Sequence, residues 1–213
     1  MTTTMKMTIH EALAKKKLLA KQIEKLTDNL EITVVAKASK DVLENGTKKT
    51  EFKKNKKAEY QKIRDLITLR NNISKAIILS NATTNVVIAG QEMTVAEAID
   101  LKSNIYMYSE LLMTINDNKT VVMKNLEKMN KAVDKDITTM TNSLMTGDKE
   151  KSKSGELESI IKRYKEDNGY EMVEAIDSTK AMVELHEFID DFTLNVDFVL
   201  STSNALTTIE VQV

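Results

Sequence analysis

Apolar residues recur at helical spacing over most of this chain, and the pattern predicts an architecture dominated by helices. Because the sequence contains no proline, these helices are expected to run without interruption. The most regular seam has Val122, Leu126, Met129, Val133, Ile137, Met140 and Leu144 at spacings of four and three. The predicted helices cover residues 8–30, 50–79, 94–115, 122–144, 156–167 and 170–192, with the Asn116-Asp117-Asn118 cluster expected to end or bend the third.

Two helix starts carry the same signal. Thr94 and Glu97 stand three residues apart before an apolar run, which predicts a capping box in which each side chain binds the other's backbone amide. A turn at Gly90 precedes this start. Thr8 and Glu11 repeat the arrangement near the N-terminus. We therefore expect the helices after Thr8 and Thr94 to begin in the same way.

Extended segments separate the helices. Residues 32–38 are rich in β-branched side chains and predict a strand, and residues 86–88 predict another. Asn45-Gly46 predicts a turn. In the C-terminal segment 194–213, apolar and polar residues alternate on both sides of a Ser/Thr/Asn cluster, which predicts a closing β-hairpin. Its apolar positions are Leu194, Val196, Phe198, Leu200, Ile209, Val211 and Val213.

The fold class predicted from these elements is α+β and predominantly α. Long antiparallel helices are expected to form a rod or bundle, joined by a small antiparallel β-sheet that includes the C-terminal hairpin. We expect one elongated domain over residues 1–213. Residues 146–155 are the stretch whose composition allows a flexible break.

Charge is distributed unevenly along the 213 residues. Lys and Arg outnumber Asp and Glu by 18 to 9 in residues 1–79, the two are nearly equal in residues 80–155, and residues 156–213 carry 4 against 13. Opposite charges attract over a range that depends on salt, so the ends are predicted to fold back on each other or to meet those of a neighbouring copy. The alternative is that these residues form solvated faces of opposite sign.

Motifs for catalysis or cofactor binding are not recognisable in the sequence. Cysteine is absent, which excludes disulfides and thiolate metal sites, and the two histidines, His10 and His186, lack the spacing of metal ligands. Glycine-rich phosphate loops and nucleophile elbows are also missing. We therefore predict no enzyme, no cofactor, no catalytic residue and no metal ligand. The apolar segments are too short or too polar for a membrane span, and no signal-peptide core is visible, so neither export nor a membrane span is expected.

A dense run of lysines lies in the segment 48–57. It includes Lys53, Lys54, Lys56 and Lys57, and such a run allows contact with nucleic acid or another anionic partner. The run itself contains no arginine and only one aromatic residue, Phe52, which is less than a nucleic-acid surface usually has. We therefore favour a solvated helix start over a nucleic-acid site.

The chain resembles the septicolysin-like family of uncharacterised bacterial and phage proteins. The resemblance covers roughly residues 8–112. It rests on Glu11-Ala12-Leu13 in the first helix, Asn81-Ala82-Thr83-Thr84 at the end of the second, and the Gly90 turn into a Thr94-x-x-Glu97-Ala98 helix. The resemblance implies a bacterial or phage setting and no particular activity, so a virion or the bacterial cytoplasm is the expected location.

The function expected from these observations is structural. We expect a non-enzymatic assembly component of a phage or phage-like particle, a homo-oligomer that contacts itself and other particle proteins. The alternative is a cytoplasmic helical adaptor whose protein or anionic partner binds the segment 48–57. The predicted contact residues outside the lysine run are Val122, Leu126, Met129, Val133, Leu194, Val196, Phe198, Ile209 and Val211.

Overall fold

A computed structural model describes residues 4–145 and 154–212. Helices make up 74% of these residues. The described chain forms six helices and four strands. In order, they are β1 (Thr4–Thr8), α1 (Ile9–Asp28), α2 (Lys49–Thr83), β2 (Asn85–Ile88), β3 (Gln91–Thr94), α3 (Val95–Asn104), α4 (Tyr106–Met145), α5 (Ser154–Asn168), α6 (Ser178–Leu206) and β4 (Thr208–Gln212).

The predicted fold class, α+β and predominantly α, is confirmed. Strand β1 pairs antiparallel with β4, so that Thr4 lies opposite Gln212 and Thr8 opposite Thr208. Strands β2 and β3 form a tight hairpin in which Ala89 and Gly90 both have positive φ angles, 51° and 70°. Two central residues with positive φ are what a two-residue hairpin turn requires, and this explains the glycine.

The two predicted capping boxes are confirmed. The Glu11 amide donates to Thr8 Oγ1 at 3.1 Å, and the Thr8 amide donates to Glu11 Oε2 at 2.8 Å. In the second box the corresponding distances are 3.2 Å for Glu97 N to Thr94 Oγ1 and 2.6 Å for Thr94 N to Glu97 Oε2. In both cases a strand ends on the threonine and a helix starts at the next residue. The backbone and side-chain hydrogen bonds from Thr94 lower the pKa of Glu97 below its ordinary value of 4.5.

Packing divides the chain into two compact units. The terminal unit consists of Met1–Ser103 and Asp191–Val213, and the central unit is Asn104–Asp190. The second boundary lies inside α6, which therefore contributes residues to both units. The break expected at 146–155 concerns residues 146–153, which lie outside the described ranges.

The main core of the terminal unit joins the two ends of the chain. It is formed by β1, α1, the second half of α2 and β4, and the amide of Ile9 donates to the carbonyl of Thr207 at 2.9 Å. Asn72 on α2 donates through Nδ2 to the carbonyl of Gln212 at 3.2 Å. The buried members of this core are Met7, Ile9, Ala12, Leu19, Ile73, Ile77, Ile209 and Val211.

The prediction of a strand at residues 32–38 was wrong. These residues are irregular, and the side chain of Val35 is 94% exposed. A strand needs a neighbour for its backbone groups, and β4 is paired with β1 instead. The turn predicted at Asn45-Gly46 is confirmed: Gly46 has a φ of 81°, and Val42 pairs with Lys48 across it.

Helix α4 continues through the Asn116-Asp117-Asn118 cluster, so the helix end predicted there was wrong. The interruption lies earlier, at Ile105, between α3 and α4. Asn and Asp cost only a few tenths of a kcal/mol each in a helix interior, roughly 0.7 kcal/mol at most. Half-buried side chains on both sides of the cluster, including Ile115 and Val122, hold one face of the helix against the rest of its unit.

The prediction of a hairpin at residues 194–213 was wrong for the first of its two strands. Residues 194–206 belong to α6, and only the second segment forms a strand, β4. Phe192 and Val196 are buried four residues apart on one side of the helix, whereas Leu194 and Phe198 are exposed. Apolar residues four positions apart in an alternating run also lie on one side of a helix, so such a run is compatible with either conformation. Here tertiary packing selected the helix.

Helix α6 also begins later than predicted, at Ser178 instead of Tyr170. Helix α5 ends at Asn168, close to the predicted break. A Cβ atom on Gly169 would lie 2.5 Å from the carbonyl oxygen of Lys165, which leaves space for glycine alone. The break between α5 and the following segment therefore depends on Gly169.

Candidate interaction surfaces

The lysine run lies on the first turns of α2. Lys53, Lys54 and Lys57 are exposed, and none of them has an ion-pair partner among the described residues. Lys56 is half-buried and pairs with Glu59 at 2.8 Å. Lys49 donates from Nζ to the carbonyl of Lys37 at 2.7 Å, which ties the helix start to the preceding loop.

Because α2 is one continuous helix, residues beyond the run share its face. Lys53, Lys57, Tyr60 and Arg64 follow one another at spacings of four, three and four, so they lie along one side. Tyr60 is 47% exposed, and Arg64 is exposed as well. The run thus gains a second aromatic residue and the arginine that it lacks within 48–57. This face can be found in the sequence when the spacing of three and four residues is continued for two helical turns beyond Lys57.

The predicted seam of 122–144 packs inside the central unit. Val133 and Ile137 are buried, and Val122 and Leu126 are half-buried, whereas Met129 is 44% exposed. Helix α4 contacts α5 along this side. Two sets of polar contacts accompany the packing. Asp134 pairs with Lys165 at 3.1 Å, and Asn130 bonds to the backbone of Tyr170 through both its oxygen and its nitrogen, at 2.9 and 3.0 Å.

The predicted C-terminal contact residues divide by burial. Ile209 and Val211 are buried in the core of the terminal unit, and Val196 is 3% exposed. Leu194 and Phe198 are 79% and 73% exposed on the opposite side of α6. Between them, Asp197 pairs with Lys102 on α3. Only Leu194 and Phe198 of this group are therefore accessible to a partner.

The two units differ in how they distribute large apolar side chains. The described residues include seventeen buried hydrophobic side chains, and only two of them, Val133 and Ile137, belong to the central unit. The same unit leaves thirteen large hydrophobic side chains exposed. These are Tyr106, Met107, Tyr108, Leu111, Met113, Val121, Met123, Met129, Ile160, Tyr170, Val173, Ile176 and Val183.

Open grooves lie beside these side chains. One of about 430 Å³ runs between α4 and residues 172–178 and is lined by Thr114, Asn118, Val122, Val173 and Ile176 among others. Another of about 480 Å³ lies between α4 and the start of α6, where His186 pairs with Asp190 at 3.5 Å. In residues 4–145 and 154–212, no group of three His, Cys, Asp or Glu side chains is arranged to hold a metal ion.

None of the helices in the described ranges combines the length and the apolar character that a membrane crossing requires. Comparison of the sequence and the structure with protein-family models, curated proteins and solved structures found no match in any of the three.

Proposed function

We propose that this chain is a non-enzymatic assembly protein, a component of a phage or phage-like particle that acts through repeated protein–protein contacts. The observation that carries the proposal is the exposed apolar surface of the central unit. In this unit two large hydrophobic side chains are buried and thirteen are exposed within the described residues. Along α4, Met107 and Leu111 lie one helical turn apart on one side, and adjoining exposed apolar side chains of this kind are typical of a surface that another protein covers.

Covering these side chains provides the driving force for association. Full burial of a large aliphatic or aromatic side chain contributes about 1.5–3 kcal/mol, so a half-exposed one gains roughly half of that when a partner covers it. Methionines contribute four of the exposed side chains on α4, at Met107, Met113, Met123 and Met129, and their flexible thioethers adapt to a partner's shape. A few such contacts offset the entropy that association costs.

A second contact surface is proposed on the terminal unit. Leu194 and Phe198 lie one helical turn apart on the exposed side of α6. Among residues 192–209 the only charged residue is Asp197, and Lys102 neutralises it. An uncharged face with two large apolar side chains fits the groove or helix of another protein. Contact surfaces in both units are what repeated contacts in an assembly require.

The particle setting is proposed from the sequence. It is supported by the resemblance of residues 8–112 to septicolysin-like bacterial and phage proteins and by the absence of recognisable catalytic motifs. The chain would then be found in virions or in the cytoplasm of an infected bacterium. Its partners would be further copies of itself and neighbouring particle proteins.

Two measurements test this proposal. Quantitative mass spectrometry of purified particles should find the chain at a fixed copy number relative to the other particle proteins. Sedimentation of the purified chain at several concentrations should show a defined oligomer. If the chain is missing from particles and stays monomeric at all concentrations, the proposal is wrong.

A cytoplasmic adaptor with an anionic partner is the second candidate, and the basic face of α2 favours it. Lys53, Lys57 and Arg64 have no ion-pair partner among the described residues, and Tyr60 lies between them. Phosphate contacts would make binding weaken as salt rises, with about one counterion released per contact. A salt titration with single-stranded DNA measures this slope, and Arg64→Gln should reduce it. Lys62→Gln, which removes one charge from another side of α2, is the matched control.

A further inference from the structure

We propose that the exposed side of α4 binds the same side of a second copy of this chain, with the two helices antiparallel. The inference rests on the proposed function, because it names the partner and the register of one of the proposed contacts. Three features of α4 support it: a line of uncharged residues, the symmetry of that line, and the charges beside it.

The uncharged line runs along α4 at spacings of three and four residues. This spacing is that of the contact line of a coiled coil. All its members are exposed, and it shares only Met129, which is 44% exposed, with the seam that packs inside the central unit. It consists of Met107, Leu111, Thr114, Asn118, Val121, Asn125, Met129 and Ala132.

From Leu111 to Ala132 the line is complementary to its own reverse. A two-fold axis that passes between Val121 and Val122 places Leu111 opposite Ala132 of the second copy, so that a large side chain meets a small one. It also places Asn118 opposite Asn125 of the second copy. Each asparagine amide has both donors and an acceptor, so the two side chains can satisfy each other. A two-fold axis applies each of these contacts twice.

Charged residues directly before members of the line reinforce this orientation. Glu110 and Asp117 lie beside the first half of the line, and Lys124 and Lys128 lie beside its second half. None of these four side chains has an ion-pair partner within the described part of the chain. In an antiparallel pair the acidic half of one helix meets the basic half of the other. A parallel pair would place like charges together.

The groove between α4 and residues 172–178 extends the same surface. Its lining includes Thr114 and Asn118 of the line, together with Val173 and Ile176, which are 86% and 59% exposed. A helix that lies along the line would cover these two side chains as well. The contact between the two copies would therefore bury apolar area on both sides of Asn118 and Asn125.

Cysteine crosslinking of the full chain tests the register, because the sequence contains no cysteine of its own. Val121→Cys lies beside the two-fold axis and should form a disulfide-linked dimer under mild oxidation. Leu111→Cys should not link to itself, but it should link to Ala132→Cys when the two variants are mixed. Self-linking of Leu111→Cys would indicate a parallel pair and overturn the proposal.

Charge reversal tests the electrostatic part. In sedimentation equilibrium, Asp117→Lys should raise the dimer dissociation constant about tenfold or more, because it creates a like-charge contact with the lysines of the second copy. Adding Lys124→Asp and Lys128→Asp to the same chain should restore dimerisation. Glu187→Lys on α6 makes the same change in net charge away from the line and is the control.

The remaining outcomes are also decisive. If the unmodified chain is monomeric at all concentrations, or if Glu187→Lys weakens the dimer as much as Asp117→Lys does, the α4 pairing is wrong. Neither result removes the proposed function, because a fixed copy number in particles would still indicate contacts with other particle proteins. A chain that dimerises as proposed but is absent from particles would refute the particle role alone.

Discussion

The terminal unit and the central unit bury apolar side chains to very different extents. In the terminal unit, fifteen hydrophobic side chains are buried and fifteen large ones are exposed among the described residues. In the central unit the corresponding numbers are two and thirteen. Both units are mainly helical, so helix content does not explain the contrast. The difference lies in how many elements cover each helix.

In the terminal unit, a sheet supplies the additional layer. Strands β1 and β4 place Met7, Ile209 and Val211 against α1 and α2, so apolar residues of both helices face side chains from the sheet. In the central unit, α4 has 40 residues and is about 60 Å long. Helix α5, which packs against α4, has 15 residues and covers one side of α4 over part of its length. A second apolar line on α4 is left for a partner outside the chain.

The largest effect is expected from removing β4. Truncation after Thr207 takes Ile209 and Val211 out of the core, and each contributes about 1.5–3 kcal/mol when buried. We expect the free energy of unfolding of the terminal unit to fall by roughly 3–6 kcal/mol, measured through hydrogen exchange of the α1 amides. Exchange in α4 should change little. If self-association is lost while α1 stays protected, β4 is a contact element instead of a core strand.

A matched pair of core substitutions compares the two units directly. Ile73 is fully buried in the terminal unit, and Ile137 is 8% exposed in the central unit. Ile73→Ala should lower the free energy of unfolding by about 2–5 kcal/mol, because it leaves a cavity in a closed core. Ile137→Ala should cost less, because its thinner surroundings can collapse around the gap. Urea unfolding followed by hydrogen exchange in each unit measures both, and equal losses would contradict the contrast.

Both capping boxes lie at strand-to-helix junctions of the terminal unit. Removing either one should have a smaller effect on the free energy of unfolding. Thr94→Ala removes the acceptor of the Glu97 amide, and Thr8→Ala removes that of the Glu11 amide. Each should cost about 1 kcal/mol. Thr68→Ala is a suitable control, since the Thr68 hydroxyl bonds only to the carbonyl of Arg64 within α2. Thermal unfolding and amide exchange near each helix start distinguish the variants from the control.

The smallest expected effect is a dependence on pH in one helix of each unit. Hydrogen bonds from Thr94 lower the pKa of Glu97, and the hydrogen bond from Lys131 lowers that of Glu127. A lowered pKa in the folded state stabilises the fold above the ordinary value of 4.5, and this contribution is lost as pH falls through the lowered value. Amide exchange at the start of α3 and around Glu127 in α4 should therefore rise in acid.

Glu97→Gln and Glu127→Gln should each abolish the acid dependence in their own helix. The two sites also serve as controls for each other, because they lie in different units. Persistence of the same acid dependence in Glu97→Gln would show that another group causes it in α3.

Local signals in the sequence were sufficient where neighbouring residues decide the conformation. The capping residues Thr8, Glu11, Thr94 and Glu97 and the turn at Gly90 act within three or four residues, so they were predicted correctly. The seam of 122–144 was predicted as a helix for the same reason, because its periodicity lies within a single element.

Tertiary packing decided the features that depend on distant partners. Residues 32–38 have the composition of a strand but pair with no other strand in the described part of the chain. Strand β4, in contrast, pairs with β1 from the other end of the chain. Residues 194–200 alternate like a strand but are helical, because Phe192 and Val196 are buried together on one side. The exposure of the second line of α4 was likewise decided by what α5 and residues 172–178 cover. The sequence by itself determined which segments are apolar and where helices start, since those are local properties. Which apolar faces become buried depended on contacts between residues far apart in the chain, and that information exists only in the folded structure.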